Sequence, residues 1–387
     1  MKFLARLYFF DFQFKSERNS ALSDMLFLSL FLLLFVVQLK ITIILSYVVA
    51  IIYFFLKGIK ITSSLIKIYL IVVLLFGLPT ITFNHGFTPL FHLIFLPFIL
   101  LIAYYFSRKN IYDLYQIFRA FQYQNIILIT IGLIKHYDEI DPLGSIIPWV
   151  SRNGITSVLI VCQITYCFVS YLYNKKIPFL SSFLVVVICF YGLGRGSIIV
   201  SVLLLLFGII LNIINLKSLK FKLIALIFIF GLVFYYVGFS SETITILENI
   251  EEGLNKTQFG HGYTDESRIV MRDEYISNLN VWTFFFGSSY ENTAIEKYFG
   301  GNPHNSFIRL HSFYGIFGLI VLFAIIIAIF IAKRNKSKKI VFLILLILLL
   351  FRAYTEPIFF PTSLDFFFLF MVLLYFRKKS FISYNRT

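Results

Sequence analysis

The chain has 387 residues, of which 59% are hydrophobic and only 14% are charged, with 34 lysines and arginines against 19 acidic residues. This composition is too apolar for a soluble domain of the same length and predicts a polytopic membrane protein. The basic excess does not indicate a nucleic-acid partner, because the basic residues lie in short clusters between apolar runs. Cys162, Cys167 and Cys189 lie inside apolar runs, which predicts core residues and argues against a disulfide framework.

Most of the chain consists of apolar runs that are long enough to cross a bilayer. A hydrocarbon core of about 30 Å needs roughly 20 apolar residues per helix, or fewer where flanking lysines and arginines reach the headgroups. Residues 1–24 lack an apolar core with a small-residue cleavage site, so we expect an interfacial helix there and no removable signal peptide. The remainder predicts an all-α fold with about twelve membrane helices, at 22–38, 41–57, 64–82, 88–106, 117–134, 154–173, 177–193, 196–216, 222–240, 305–332, 340–352 and 362–376.

The connecting segments alternate in charge as the positive-inside rule requires. If the N-terminus is cytoplasmic, the inner segments hold 22 of the 34 basic residues. We therefore expect a multi-pass protein of the bacterial cytoplasmic membrane with both termini in the cytoplasm. This topology divides the chain into residues 1–240 with nine helices, an extracytoplasmic loop at 241–304, and residues 305–387 with three helices and a cytoplasmic tail.

The loop at 241–304 differs from the other outer segments in its length and in its ten acidic residues. It is the only outer segment large enough to form a small subdomain. A surface helix is predicted at 242–252, followed by a glycine-rich turn. A second helix is predicted to begin at Thr264 and Asp265, where acidic residues complement the helix dipole, and to continue through Arg268 and Leu279.

The segment at 301–311 contains two histidines, two asparagines and an arginine where this loop turns into a membrane helix. We expect Asn302 to cap the helix and Pro303 to lie in its first turn. His304 and Asn305 then lie at a positive dipole end that suits a phosphate and disfavours the imidazolium, so His304 could accept a proton. The alternative is a hydrogen-bonded interfacial histidine in a capped turn.

Arg195 lies between glycines in the sequence Gly-Leu-Gly-Arg-Gly-Ser at 192–197, at the outer ends of two apolar helices. Glycine lets the backbone approach a ligand closely, and a guanidinium binds phosphate through a rigid fork. This pattern predicts a phosphate contact. A tight turn with an arginine that reaches the headgroups is the alternative.

Further charged residues are predicted near the same membrane face. Arg268 and Arg272 are neighbours on the predicted loop helix, where an anionic substrate would relieve their repulsion, although ordinary surface ion pairs fit equally well. Arg309 either joins this cluster or reaches the headgroups, and His311 is expected to be a core residue. Arg352 and Glu356, one turn apart in the last outer loop, form either an ion pair that orients the site or an ordinary pair at a helix end.

Asp365 opens the last predicted helix and is expected to complement its dipole. The sequence contains no metal-ligand cluster, no aspartate-rich motif and no phosphate-binding loop, so we expect neither a metal ion nor another cofactor.

The sequence Gly-Arg-Gly-Ser before a membrane helix, a large late outer loop, and Pro-His-Asn-Ser-Phe at 303–307 with Gly-Ile-Phe-Gly at 315–318 together resemble the O-antigen polymerase and O-antigen ligase superfamily. The resemblance implies a glycosyltransferase of the GT-C type that uses an undecaprenyl-diphosphate-linked oligosaccharide on the outer side of the membrane. It implies that His304 is the general base and that Arg195 and Arg268 hold the diphosphate. The family often has serine before the first arginine, where this chain has Gly194.

Several functions remain open at this level. A polymerase would extend a second lipid-linked repeat unit and could work with a chain-length regulator, whereas a ligase would transfer the glycan to lipid A–core. We favour the polymerase because family members with this role have similar length and Phe- and Ile-rich sequences. Transfer of glycans to protein is a further option. A flippase or other exporter fits less well, because transporters usually have paired halves and this chain has no evident half-repeat.

Overall fold

A computed structural model describes residues 20–36, 40–58, 88–139, 141–147, 150–192, 194–215 and 266–377, with scattered residues between 66 and 77. Within these ranges the regular structure is entirely helical, which confirms the predicted all-α class. The helices are α1 (Ser20–Val36), α2 (Lys40–Leu56), α3 (Thr88–Arg108), α4 (Ile111–Lys135), α5 (Arg152–Asn174), α6 (Phe179–Tyr191), α7 (Arg195–Ile214), α8 (Glu266–Ser277), α9 (Val281–Phe286), α10 (Ala294–Phe299), α11 (Ser306–Ile331), α12 (Lys336–Thr355) and α13 (Asp365–Phe376).

Five of these helices, α3, α4, α5, α7 and α11, are long and apolar enough to cross a membrane. Helices α1, α2, α6 and α13 are apolar but shorter. Ten of the twelve predicted spans coincide with α1–α7 and α11–α13. The predicted span at 64–82 is described only in part and the one at 222–240 lies outside the described residues. The helices therefore fit a membrane protein, and the count of twelve and the GT-C architecture stay predictions.

Helix α5 lies inside the bundle, with 94% of its most apolar stretch buried. Its polar side chains explain this position, because polar groups on a membrane helix favour contact with protein over lipid. The Gln163 amide nitrogen donates to the hydroxyl oxygens of Ser181 and Ser182 on α6, at 3.0 and 2.9 Å. Helices α4, α6, α7, α12 and α13 pack around α5, so residues at its first turn are close to the ends of several other helices.

Segments that the topology predicts on the inner side meet at one end of the bundle. Buried Asp24 forms ion pairs with Lys57 at 3.2 Å and with Lys109 at 2.5 Å. Arg377 donates to the carbonyl oxygens of Ser107 and Lys109 at the end of α3. Four predicted inner segments therefore lie side by side, while the side of the membrane that they face stays a prediction.

Helix α11 is not the continuous helix that the sequence predicts at 305–332. Its backbone is non-helical at Gly315, with φ 60° and ψ −158°, so two helical parts meet at a kink. The short helix α9 packs against this kink, and a Cβ atom at Gly315 would lie 1.9 Å from the carbonyl oxygen of Phe285. Because only glycine fits both the backbone angles and the available space, the residue type determines the break.

The described part of the large loop forms a small subdomain on top of α11. Met271, Tyr275 and Ile295 form its apolar centre, between α8 and α10. The Glu274 carboxylate accepts a hydrogen bond from the backbone nitrogen of Ala294 at 2.7 Å, which joins the start of α10 to α8. Helix α8 corresponds to the helix predicted from Thr264, and the helix predicted at 242–252 lies outside the described residues.

Candidate active site

Glu356 follows α12 at the end of the bundle opposite to Asp24. The start of α12 lies near the end of α13, because Lys338 donates to the carbonyl oxygens of Leu374 and Tyr375. At its other end α12 stops at Thr355, and the backbone becomes extended at Glu356, with φ −151° and ψ 149°. This turn directs the Glu356 side chain out of the helix and towards α8 and α11, and 7% of the side chain is exposed.

The carboxylate of Glu356 lies between two residues from the large loop. Its Oε1 atom is 3.7 Å from Nη2 of Arg268, and its Oε2 atom is 3.5 Å from Nδ1 of His304. Both distances are at or beyond the limit of a hydrogen bond, and catalytic hydrogen bonds are often this long until substrate closes the site. Three of the predicted site residues are therefore brought together by segments that are far apart in sequence.

His304 lies before helix α11 and not in its first turn, so the predicted cap was wrong. Asn305 is the N-cap, and its side-chain oxygen accepts hydrogen bonds from the backbone nitrogens of Phe307 and Ile308. The oxygen of Asn302 instead accepts from the backbone nitrogen of His304 at 2.9 Å. His304 has a φ of 46°, which is uncommon for a residue with a side chain and is often found at functional sites.

The segment after Glu356 is fastened to the start of α11. The Ser306 hydroxyl donates to the carbonyl oxygen of Glu356 at 2.7 Å and accepts from the backbone nitrogen of Phe359 at 3.1 Å. Arg309 donates to the carbonyl oxygen of Pro357 at 3.2 Å. His304 directly precedes α11, and Glu356 begins the segment that these hydrogen bonds attach to α11. The hydrogen bonds therefore hold His304 and Glu356 at a fixed separation.

Arg352 is buried, with 2% of its surface exposed. It is not ion-paired with Glu356, contrary to the prediction that these two residues form a pair. Its guanidinium donates to the hydroxyl oxygen of Thr355 at 2.8 Å, and to the carbonyl oxygen of Asn153 and the hydroxyl oxygen of Ser157 at 3.1 and 2.5 Å. Arg352 therefore joins the end of α12 to the start of α5.

Replacing Arg352 with methionine should destabilise the protein by about 2 kcal/mol, because a buried charged donor and its hydrogen bonds are lost. The lower midpoint of thermal unfolding in detergent would measure this effect. Arg272→Met is the matched control, since Arg272 is exposed, and it should leave the midpoint nearly unchanged. Equal midpoints for the two variants would contradict the structural role of Arg352.

Arg195 begins helix α7, as predicted, and is half-buried there. A Cβ atom at Gly194 would lie 2.2 Å from the side-chain oxygen of Asn153, and one at Gly196 would lie 3.0 Å from Nη1 of Arg352. The glycines thus admit close packing of the neighbouring helices α5 and α12, and the phosphate contact of Arg195 stays a prediction. Because of this packing, Arg195 lies at the same end of the bundle as Arg352 and Glu356.

Arg272 and Asp365 have local partners. Arg272 is exposed and forms an ion pair with Asp273 at 2.9 Å, and this hydrogen bond raises the pKa of the guanidinium. The Asp365 carboxylate accepts from the backbone nitrogens of Phe360 and Thr362, at 2.9 and 3.0 Å. Asp365 therefore opens α13 as predicted, and it also fixes the segment at 360–362 that precedes this helix.

His311 joins three helices. Its Nδ1 atom is 2.8 Å from the hydroxyl of Tyr275 on α8, and its Nε2 atom is 3.0 Å from the carbonyl oxygen of Phe284 on α9. Burial raises the pKa of Tyr275, which therefore stays protonated. Because a carbonyl only accepts, the network assigns the N–H to Nε2 and leaves Nδ1 to accept from Tyr275. His311 is structural, as predicted, and it supports the helix that carries Arg268.

Sequence reasoning missed the polar face at the start of α5. Asn153, Thr156 and Ser157 are spaced as neighbours on one helix face, and they contact Arg352 or Ser197. Polar residues at this spacing within an apolar run are a usable signal for a buried contact.

No group of three or more histidine, cysteine, aspartate or glutamate side chains that could hold a metal ion occurs in the part of the chain that the structure describes.

Comparison of the chain with family models, with characterised proteins and with solved structures found no match.

Proposed function

We propose that the chain is a glycosyltransferase that joins undecaprenyl-diphosphate-linked oligosaccharide repeat units into an O-antigen or capsular-type polysaccharide. The observation that carries this proposal is the Glu356 carboxylate between His304 and Arg268. A histidine oriented by a carboxylate can accept a proton, and an adjacent guanidinium can bind a phosphate. Both groups are needed for sugar transfer from a lipid diphosphate.

In the proposed reaction, a hydroxyl of one lipid-linked repeat unit attacks the anomeric carbon of the other. The new glycosidic C–O bond forms while the bond from that carbon to the diphosphate oxygen breaks. The hydroxyl proton goes to Nε2 of His304, and undecaprenyl diphosphate leaves with the bonding electrons. Glu356, which lies beside Nδ1, orients the imidazole and stabilises the imidazolium that forms.

Fixed positive charges would stabilise the leaving diphosphate. Arg268 and His304 both lie next to the carboxylate of Glu356. Arg195 begins helix α7, which packs against Arg352. Arginines in a partly water-excluded site can supply several kcal/mol to this step. In the proposal Arg309, Arg272 and Asn305 contribute further substrate contacts at the rim, while Glu356 and Arg352 position the site.

The proposal places the site on the periplasmic side of the bacterial cytoplasmic membrane. Its basis is the positive-inside assignment of Lys333, Arg334 and the following lysines at the opposite end of α11. The partners would be the lipid-linked oligosaccharide, the bilayer and a chain-length regulator, and the chemistry requires no cofactor.

Deletion of the gene, followed by gel analysis of the surface polysaccharide, tests the proposal. One repeat unit per anchor is the expected result for loss of a polymerase. Free lipid-linked polymer with a bare lipid A–core would instead indicate a ligase. Absence of surface glycan with lipid-linked repeats held inside the cell would indicate a flippase, and either of these two results contradicts the proposal.

Complementation with Glu356→Gln should lower the rate of chain extension about 10- to 100-fold, because the amide has nearly the same shape but no charge to stabilise the His304 imidazolium. Each tenfold loss of rate corresponds to about 1.4 kcal/mol in the activation free energy. Product length distributions measure the change. Glu296→Gln, an exposed residue on α10, is the control and should extend chains as the wild type does.

A further inference from the structure

Helix α9 presents large apolar side chains to its surroundings. Val281 and Trp282 are 71% and 63% exposed, and Phe284 and Phe285 are 42% and 41% exposed. The helix is only six residues long, yet Asn280 and Thr283 close its start with a reciprocal capping box. We propose that this aromatic face is embedded in lipid, in the leaflet at the Ser306 end of α11.

The orientation of α9 is fixed by backbone contacts with α11. A Cβ atom at Gly287 would lie 2.2 Å from the carbonyl oxygen of Ser312, and one at Gly315 would lie 1.9 Å from that of Phe285. The Ser312 hydroxyl also donates to the carbonyl oxygen of Ser288 at 2.6 Å. These contacts leave no room for α9 to turn its aromatic face towards the protein.

The length of α11 places α9 at the membrane boundary. Helix α11 ends at Ile331, immediately before a run of lysines and arginines that marks one headgroup layer. At 1.5 Å per residue, the helical part of α11 from Ile331 back to the kink at Gly315 is about 24 Å long, so the kink lies roughly 6 Å inside a hydrocarbon core of about 30 Å. The contacts of α9 lie between His311 and Phe317, on both sides of this kink, and this depth is typical of interfacial helices.

The exposed face of α9 continues the exposed face of α11. The ring centroids of Phe285 and Phe286 are 6.0 and 6.2 Å from that of Phe317. Phe317, Ile320 and Val321 are themselves 38%, 54% and 53% exposed on the membrane helix. One uninterrupted apolar surface therefore runs from the membrane helix onto α9, and acyl chains that cover the first part also cover the second.

Lipid contact at α9 also holds the candidate site in place. Phe284 accepts from His311, and His311 binds Tyr275 on α8, the helix that carries Arg268. An α9 seated in the leaflet therefore fixes the height of α8 above the membrane. This inference depends only on the membrane location of α11 and not on the proposed reaction.

Tryptophan fluorescence tests the inference directly, because the chain has only two tryptophans, Trp149 and Trp282. Trp149→Phe, or Trp149→Tyr if the first variant folds poorly, leaves Trp282 as the single reporter. In nanodiscs of phospholipids brominated near the headgroup end of the acyl chains, we expect strong quenching of Trp282 and weak quenching by aqueous iodide.

A tryptophan on α10 provides the matched control. Tyr298 is 67% exposed on α10, next to the charged residues Glu296 and Lys297, so we expect Tyr298→Trp in a chain lacking both native tryptophans to be quenched by iodide and not by brominated lipid. Quenching of Trp282 by iodide alone would overturn the inference, because α9 would then face water. Protection of Trp282 from both quenchers would also overturn it, since another protein segment would cover the helix.

Discussion

Replacing His304 with alanine should reduce chain extension by about 10²–10⁴-fold, the usual contribution of a general base. The imidazole lies 3.5 Å from Glu356 and beside the Arg268 site, so its removal leaves the phosphate-binding charge in place but no proton acceptor. Binding of the lipid-linked donor should therefore change much less than turnover. The measurement is the rate of product lengthening in proteoliposomes, with donor binding measured separately.

A second histidine provides the control for this experiment. His136 lies after α4 and binds Glu139 at 2.5 Å, outside the candidate site, and His136→Ala should extend chains at the wild-type rate. His304→Ala should also unfold close to the wild-type temperature, because the His304 side chain is 27% exposed. Wild-type product length in His304→Ala would remove the histidine from the mechanism.

The sequence predicts the residues of the candidate site but not their partners. Charged and titratable groups at a membrane face indicate a functional role for His304, Arg268 and Glu356, and the structure brings these three together. Their contacts depend on how the segment at 266–305 returns onto the end of α12. Such a return is set by tertiary packing between distant segments, which no local pattern encodes.

Arg352 illustrates why spacing alone misled. Residues four apart face each other only while the helix continues, and α12 ends at Thr355 with extended backbone at Glu356. The two side chains therefore diverge, Arg352 into the bundle towards Ser157 and Glu356 towards Arg268. The sequence predicts the end of a helix only to within a few residues. Here the helix ends one residue before Glu356, and this position determines which groups Arg352 and Glu356 contact.

Helix α9 and the kink in α11 were also beyond reach of sequence patterns. The six residues of α9 form too short a run to be distinguished from the rest of the loop. Gly315 lies in a long apolar run, where a single glycine is compatible with an unbroken helix. Gly287, which ends α9, lies so close to the carbonyl oxygen of Ser312 that a side chain would not fit there, and this contact comes from packing between distant segments.

Gly315→Ala should lower the free energy of unfolding by about 4 kcal/mol or more. The backbone angles at this position are nearly restricted to glycine, which costs a side chain about 1–3 kcal/mol, and the new Cβ atom would lie 1.9 Å from the carbonyl oxygen of Phe285. Neither α9 nor α11 can shift alone, because Gly287 makes a similar contact with Ser312. The midpoint of thermal unfolding and the yield of monodisperse protein in detergent measure the loss, and Gly287→Ala should behave alike.

Gly300→Ala measures the cost of a left-handed backbone conformation where no clash occurs. Gly300 has a φ of 57° and a ψ of 32°, whereas Gly315 has a similar φ of 60° but a ψ of −158°, and no atom lies within 4 Å of the position that a Cβ at Gly300 would occupy. Alanine there should cost only about 1–2 kcal/mol, the penalty for a left-handed conformation. If Gly315→Ala were no more damaging than Gly300→Ala, then the contact between α9 and the kink of α11 would not be close in the folded protein.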